Sequence, residues 1–343
     1  MSSSIFDFEV PARLASPASG DDPARWRSVS VIAVCGAVAL FAFAVLLLAL
    51  ADPYDTGRWS LMPEIGVADG NPRTANASRG RDQQFNAPII GNSRGQLIDP
   101  RRLSEVSGAR FVQLTVPGTG PREQLTLMRW FARHHARIGA IVLAADQSWC
   151  TPDPSLPIIN DFPFWLYADS GLDYLRGLPS ATAFGRLVRR MRLAAEKIER
   201  SAPDGFWDYT KDLGPARDPA KLAKPLITMN DGIPVSAPLP AVHRLGEFLS
   251  LLPPDVPFVV VLPPAYQTAL PAPGSVGAAR LARCKQALAD LVGGRPRGAF
   301  LDFFLDGPVA RDANNFFDHI HYGEAVARMI EDSIAEAVKV TRN

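Results

Sequence analysis

Strand-like and helix-like patterns alternate from residue 87 to the end of the chain, and no other feature restricts the fold as much. Short apolar runs that predict strands lie at residues 87–91, 110–116, 140–145, 257–262 and 299–304. Apolar residues at helical spacing lie between and after them, as at Leu125, Met128 and Phe131. This alternation predicts an α/β fold of three layers, in which a parallel sheet of about five strands carries helices on both faces.

Two long segments interrupt the alternation. Residues 150–180 and 201–240 are rich in Pro, Asp and aromatic side chains. Segments of this length inside a compact domain are typically lids, binding loops or small subdomains, and inserted packing without a ligand is the alternative. Between them, helical spacing predicts one helix that contains Phe184, Leu187, Val188, Met191, Ala195 and Ile198.

The N-terminal part of the chain contains a stretch long enough to cross a membrane. Residues 29–51 carry no charge, and as a helix they extend about 34 Å at about 1.5 Å per residue. A cleaved signal peptide is the alternative, because Ala49-Leu50-Ala51 has the small-x-small form of a cleavage site. The length of the run and the polar arm before it favour an uncleaved anchor.

The charges that flank this anchor predict its orientation. Arg13, Arg25 and Arg27 precede the apolar run, whereas Arg58 follows it. The positive-inside bias therefore predicts a cytoplasmic arm at residues 1–28, a transmembrane helix at 29–51 and an extracytoplasmic remainder. Residues 52–85 lack an apolar period and predict a linker that is partly wrapped on a domain at 86–343.

The composition argues against nucleic acid as a partner and leaves the state of two cysteines open. The chain balances 36 Lys and Arg residues with 35 Asp and Glu residues and has no basic run. Cys35 lies in the apolar run, so Cys150 and Cys284 are the two that can pair in an oxidising compartment. Cys284 shares a helical face with Leu281 and Leu288, and this favours the alternative of a buried, unpaired Cys.

Polar or glycine-containing turns follow the predicted strands. Asn92-Ser93-Arg94 follows the first, Pro117-Gly118-Thr119-Gly120 the second and Asp146-Gln147-Ser148 the third. Asp318-His319-Ile320-His321 lies between the last strand and the last helix. Because ligands of open α/β sheets bind at the carboxyl ends of the strands, these turns predict one site at that edge.

Ser93, Asp318 and His321 supply the groups that nucleophilic acyl transfer needs. A serine hydroxyl attacks effectively when an imidazole takes its proton, and a carboxylate fixes the tautomer of that imidazole. Asp318 lies three residues before His321 and can reach the ring nitrogen that faces away from Ser93. One alternative is that Asp318 caps the following helix. The other is a zinc site of Asp318, His319 and His321, but no further His or Cys cluster completes it, so no metal or other cofactor is predicted.

These motifs resemble those of the SGNH/GDSL hydrolase superfamily. They are most similar to its membrane-anchored, extracytoplasmic members, which are associated with O-acylation of cell-surface polysaccharides. The resemblance covers about residues 86–340 and depends on two short blocks. It implies a flavodoxin-like domain in which Ser93 is the nucleophile, His321 the base and Asp318 its orienter. It also implies that the backbone N–H of Gly118 stabilises the oxyanion.

The chain departs from the superfamily pattern in two places. Asn92 stands where the first block has Asp, and the third block, Gly-x-Asn-Asp, is replaced by Ala144-Ala145-Asp146-Gln147. Asn92, Arg94, Gln147 and Asn230 are the remaining candidates for oxyanion or substrate binding. Loss of one oxyanion donor costs on the order of 10²–10³ in rate, so a non-catalytic carbohydrate-binding or scaffolding subunit is the alternative to an enzyme.

The resemblance implies a serine-dependent O-acyl transferase or esterase, with acetyl as the expected acyl group. Its expected location is the bacterial inner membrane, with a single span and a periplasmic domain. The expected partners are a surface glycan or related acylated polymer and a multi-span membrane acyltransferase that delivers the acyl group.

Overall fold

The computed structural model describes residues 23–213, 218–225 and 232–340, and the chain divides into two compact units, Met1–Leu47 and Leu48–Asn343. The first helix, α1 (Pro23–Ala51), contains the apolar run. Residues 24–51 include an 18-residue window with a mean hydropathy of 3.0, and they form a helix long enough to cross a membrane. Apolar side chains of its first part, such as Ile32 and Leu40, are exposed, as a lipid-facing helix requires.

The second unit is built on one parallel sheet. Its strands are β1 (Ala87–Gly91), β2 (Phe111–Gln113), β3 (Ile141–Ala144), β4 (Phe258–Leu262) and β5 (Gly298–Asp302). Their order across the sheet is β2-β1-β3-β4-β5, and every neighbouring pair is parallel. The predicted α/β class and the predicted five-stranded parallel sheet are therefore confirmed, in the strand order of flavodoxin-like folds.

Ten further α-helices lie in the described part of the second unit. They are α2 (Pro72–Arg79), α3 (Pro100–Ser107), α4 (Pro121–His134), α5 (Gly171–Gly177), α6 (Ala181–Ala194), α7 (Pro219–Leu222), α8 (Pro240–Ser250), α9 (Val276–Gly293), α10 (Pro308–Arg311) and α11 (Glu324–Val340). Short 3-10 turns lie at Ser93–Gly95, Gln147–Cys150, Phe164–Tyr167, Tyr209–Lys211, Gln267–Ala269 and Ala313–Asn315.

The sheet separates two apolar cores. Because successive side chains of a strand point to opposite faces, Ile90 packs with α4, α8 and α9 on one face, and Ile89 packs with α3 and α11 on the other. Both residues are fully buried. A strand that is covered on both faces needs a continuous apolar run, and this is why the sequence pattern identified the strands.

The segment at 52–85, predicted as a linker partly wrapped on the domain, is packed into the second unit. The buried Asp55 carboxylate accepts hydrogen bonds from Arg81 Nη2 at 2.7 Å and from Arg190 Nη2 at 2.8 Å. Behind it, Trp130 Nε1 donates to the carbonyl oxygen of Ala77 in α2 at 3.0 Å. The compact unit therefore includes this segment and begins at Leu48.

The first inserted segment buries several of its large apolar and aromatic side chains, whereas α6 exposes most of its own. In the segment at 150–180, Leu166, Tyr167 and Tyr174 are buried in the core. In α6, by contrast, the apolar residues Phe184, Val188 and Met191 are exposed. The predicted helix is present but ends at Ala194, before Ala195 and Ile198, and most of its predicted apolar face does not face the core.

Cys150 and Cys284 form a disulfide that links the turn after β3 to α9. The favoured interpretation of Cys284 as an unpaired buried residue is therefore wrong. The pattern was misleading because a disulfided Cys and a small buried hydrophobe occupy the same position on a helical face.

Candidate active site

The turn that carries Ser93 is formed by the residues around it. β1 ends at Gly91, where a Cβ atom would lie 2.8 Å from the carbonyl oxygen of Ala144, so a side chain would clash with β3. The Asn92 side chain then accepts a 3.0 Å hydrogen bond from the backbone N–H of Arg94 and starts a 3-10 turn. Ser93 is the first residue of this turn, directly beyond the carboxyl end of a central strand.

A second tight turn places Asp318 and His321. Asp318 Oδ1 accepts hydrogen bonds from the backbone N–H groups of Ile320 and His321, both at 2.8 Å. The backbone N–H of Phe317 donates to the carbonyl oxygen of His321 at 2.8 Å and closes the turn. Asp318 Oδ1 therefore caps the turn that holds His321 and not α11, the following helix of the cap alternative, and Oδ2 stays available to the imidazole.

The two turns meet at the imidazole of His321. Its Nδ1 lies 2.6 Å from Asp318 Oδ2, and its Nε2 lies 2.9 Å from Ser93 Oγ. With the proton on Nδ1, the ring donates to the carboxylate and Nε2 accepts from the serine hydroxyl. This is the geometry that a base and its orienter need in order to activate a serine.

The Asp318 carboxylate is held in its ionised form. Burial alone would raise its pKa, but the hydrogen bond and charge of His321 and the two backbone N–H donors outweigh burial and lower this pKa to about 2. An ionised Asp318 at neutral pH fixes the tautomer of His321 and stabilises the imidazolium that forms when the ring takes a proton.

His319 does not take part in this arrangement. Its Nδ1 lies 4.0 Å from Asp318 Oδ1 and is a buried nitrogen without a hydrogen-bond partner among the described residues. Burial lowers the pKa of His319 and so favours its neutral form. The described residues contain no group of three or more His, Cys, Asp or Glu side chains placed to hold a metal ion.

Ser93 and His321 open into a cavity of about 640 Å³, called here the triad cavity. Asn71, Pro117, Trp207 and Tyr209 contribute to its walls. The Tyr209 ring lies edge-on to the His321 imidazole at 5.3 Å, and its hydroxyl donates to the carbonyl oxygen of Tyr322 at 2.9 Å. Burial raises the pKa of Tyr209 and keeps this hydroxyl protonated as a donor.

Asn92 and Arg94 bond within the fold instead of facing the cavity. Asn92 Nδ2 donates to Asp146 Oδ2 at 2.6 Å, so this amide is engaged by the turn after β3. The Arg94 side chain is buried, and it donates to Gln147 Oε1 at 3.0 Å and to the carbonyl oxygen of Pro263. Both side chains tie the nucleophile turn to neighbouring loops.

Of the other candidates for oxyanion binding, Gly118 lies next to the triad cavity and Gln147 does not line it. Gln147 lines a different cavity of about 280 Å³. Gly118 has a φ of +64°, which favours glycine, and it directly follows Pro117 in the wall of the triad cavity. Asn230 lies outside the described residues.

Three groups of residues at this site were not predicted as site residues from the sequence. Asn71 and Pro72 reach the cavity from the segment interpreted as a linker, where no apolar period indicated packing. Trp207 and Tyr209 belong to the second inserted segment, whose aromatic content was the signal for a binding loop. Tyr322, which lies behind the triad, had no signal beyond its position next to His321.

The fold and the site together define an α/β protein with a Ser–His–Asp arrangement at the carboxyl edge of its sheet. No protein-family model matches the chain, and no curated protein matches it either.

Proposed function

We propose that this protein is a serine-dependent acyl-transfer enzyme of the SGNH type, with Ser93 as its nucleophile. The observation that carries the proposal is the continuous hydrogen-bonded line from Ser93 Oγ through the His321 ring to Asp318, with distances of 2.9 Å and 2.6 Å. Acyl transfer by a serine nucleophile uses this order of hydroxyl, imidazole and carboxylate.

The chemical steps follow from the atoms in that line. His321 Nε2 takes the Ser93 proton as Oγ bonds to the carbonyl carbon of an O-acyl ester. The tetrahedral oxyanion then collapses, and the leaving alkoxide takes the proton from His321. Water or a second hydroxyl, deprotonated by His321, attacks the acyl-serine and regenerates Ser93.

Backbone groups are the available donors for the oxyanion. Among the described residues, the N–H groups of Ser93 and Gly118 have no hydrogen-bond acceptor. Backbone donors that stay unpaired in the free protein are ready to bind developing negative charge without a rearrangement. In this proposal they replace the missing third-block Asn.

We assign a surface glycan or related acylated polymer to the triad cavity, because an exposed aromatic side chain lies on its wall. Trp207 lies on the cavity wall with 54% of its surface exposed, and its indole N–H donates to Asp212 Oδ2 at 2.8 Å. That bond holds an aromatic face in the open part of the site, where a sugar ring can stack. A periplasmic location and an acyl-delivering membrane partner belong to the same proposal.

A non-catalytic, glycan-binding or scaffolding role is the second candidate. The observation that favours it is that Asn92 Nδ2 and the Arg94 guanidinium donate to Asp146 and Gln147 within the fold, so neither of these side chains replaces the third-block Asn. In that case, the site would bind acylated polymer without turning it over.

Hydrolysis of p-nitrophenyl acetate, followed by acetate release from an O-acetylated polysaccharide, separates these functions. The enzyme proposal predicts that wild type releases acetate from both and that Ser93→Ala reduces both rates to the uncatalysed level. His319→Ala is the matched control and keeps its activity. Polysaccharide binding with equal background rates in wild type and Ser93→Ala would support the scaffolding role.

A further inference from the structure

Helix α6 presents three large apolar side chains outward and two of its four arginines inward. Arg186 and Arg190 are only 9% and 2% exposed, whereas Phe184, Val188 and Met191 are 43%, 57% and 58% exposed. The three apolar residues follow one another at spacings of four and three and so form one stripe on the helix surface. A helix on a water-exposed protein surface has the opposite arrangement.

Ion pairs hold the helix in this rotation. Arg190 Nη2 lies 2.8 Å from Asp55 Oδ1, and both side chains are almost completely buried. Arg186 Nη2 lies 2.8 Å from Asp69 Oδ2. Turning α6 to bury its apolar stripe would break both pairs and leave a buried Asp55 without one of its partners, which is strongly unfavourable. The exposed stripe is therefore a fixed property of the fold.

The charges that remain at the surface of α6 are positive. The helix contains four Arg residues and neither Asp nor Glu. Arg189 and Arg192, which do not face the core, are both exposed. The Arg189 side chain is 61% exposed, and its Nη1 lies 3.8 Å from Asp69 Oδ2. An apolar stripe beside exposed arginines is the composition of a helix that lies in the interface of an anionic bilayer.

The inner face of α6 contacts the residues that directly follow the apolar helix α1. Arg190 Nη1 donates to the carbonyl oxygen of Asp52 at 2.5 Å, and Asp52 is the first residue after α1. Nearby, the backbone N–H of Leu61 donates to the carbonyl oxygen of Leu50 at 2.9 Å, and Leu61 is 79% exposed. The helix that carries the stripe therefore packs against the residues of the second unit that directly follow α1.

We propose that Phe184, Val188 and Met191, together with Arg189 and Arg192, form a lipid-docking face that binds the surface of an anionic bilayer. The bilayer is the one that α1 spans, so the proposal rests on α1 being an uncleaved anchor and not on the chemistry of Ser93. The face gives the protein a second contact with the membrane in addition to the span.

The test uses the full-length protein reconstituted at one copy per lipid nanodisc that contains phosphatidylglycerol. In a Cys35→Ser background, Val188→Cys carries an environment-sensitive fluorophore. Leu305→Cys is the matched control, because Leu305 is 53% exposed and Val188 57%. The fluorophore at 188 is expected to shift to the blue and to be quenched by lipids spin-labelled near the headgroup, because such faces lie about 5–10 Å into the interface. The fluorophore at 305 is expected to show neither effect.

Charge reversal tests the role of the arginines. Arg189→Glu combined with Arg192→Glu is expected to reduce the quenching at 188 in anionic discs, and Arg311→Glu, a site of similar side-chain exposure at 63%, is expected to leave it unchanged. Equal solvent exposure and no quenching at both labelled positions would overturn the proposal. A shift that appears only in discs with two copies would also overturn it, since the face would then bind a second chain.

Discussion

The hydroxyl of Tyr322 donates a 2.6 Å hydrogen bond to the backbone carbonyl oxygen of Arg94. Tyr322 directly follows His321, and Arg94 directly follows Ser93, so this bond joins the two turns that carry the triad. Tyr322 is fully buried, which leaves no water to replace the bond. It therefore fixes the position of the nucleophile relative to its base.

Replacement of Tyr322 by Phe is expected to lower kcat while KM changes little, because Tyr322 lies outside the triad cavity. The substitution leaves the buried carbonyl oxygen of Arg94 without this donor, at a cost of about 1–3 kcal/mol in stability. If the turns move apart and the same free energy is lost from the transition state, kcat falls by roughly 5-fold to 150-fold. Steady-state kinetics on p-nitrophenyl acetate measures the effect. Tyr266→Phe is the control, since the Tyr266 hydroxyl contacts its neighbour Gln267. A Tyr322→Phe variant with wild-type kcat would show that the bond does not position the triad.

The depressed pKa of Asp318 makes stability depend on pH in the acid range. Its folded-state pKa is about 2, against an ordinary value of 3.8. The ionised carboxylate contributes its full stabilisation of the fold at pH values above the ordinary pKa of 3.8. This stabilisation is lost as the pH falls towards about 2. Wild type is therefore expected to lose about 2 kcal/mol more unfolding free energy than Asp318→Asn on going from neutral pH to about pH 2. Denaturant unfolding of both proteins across this range measures the difference, and parallel pH curves would contradict the assigned pKa.

Local pattern was sufficient for the sheet because β1 to β4 are buried along their whole length and need continuous apolar runs. It was insufficient for α6, where spacing alone predicts an apolar face toward the core. The rotation of α6 is set by Asp55 and Asp69, which are more than a hundred residues earlier in the chain, and local periodicity carries no information about such pairing. Whether Cys284 pairs with Cys150 could not be decided from local pattern for the same reason.

The site was predictable to the extent that strand ends determine it. Ser93 follows a strand and His321 precedes the last helix, so sheet topology alone placed them on one edge. Asn71 and Trp207 come from segments without a strand, whose path over the domain depends on tertiary contacts. The hydrogen-bond partners of Asn92 and Arg94 were also not predictable from the sequence, because a polar residue beside a nucleophile can face either the substrate or the protein interior.

Loss of the disulfide is expected to destabilise the second unit strongly. Cys150 and Cys284 are separated by 134 residues, and a cross-link that closes a loop of this size contributes about 3–5 kcal/mol in the chain-entropy description. Denaturant unfolding of a Cys150→Ser, Cys284→Ser variant measures the loss, with Cys35→Ser as the control. Equal stability of the two variants would contradict the prediction.

The N-terminal helix is expected to remain on the mature protein. Leu48 and Ala49 are 0% and 4% exposed and belong to the core of the second unit, so cleavage after Ala51 would remove core side chains. Intact-mass analysis of membrane-extracted protein is expected to give the full-length chain, which stays in the membrane fraction after a high-salt wash. A mature N-terminus at Asp52 would show that the helix is a cleaved signal.

The central claim, that His321 and Asp318 activate Ser93 as a nucleophile, is tested most directly with a fluorophosphonate probe on the full-length protein. The probe phosphonylates an activated serine and needs no knowledge of the natural substrate. Peptide mass spectrometry is expected to locate one adduct on Ser93, to find none in Ser93→Ala, and to find strongly slowed labelling in His321→Ala but not in His319→Ala. An unlabelled wild type, or equal labelling of wild type and Ser93→Ala, would contradict the account.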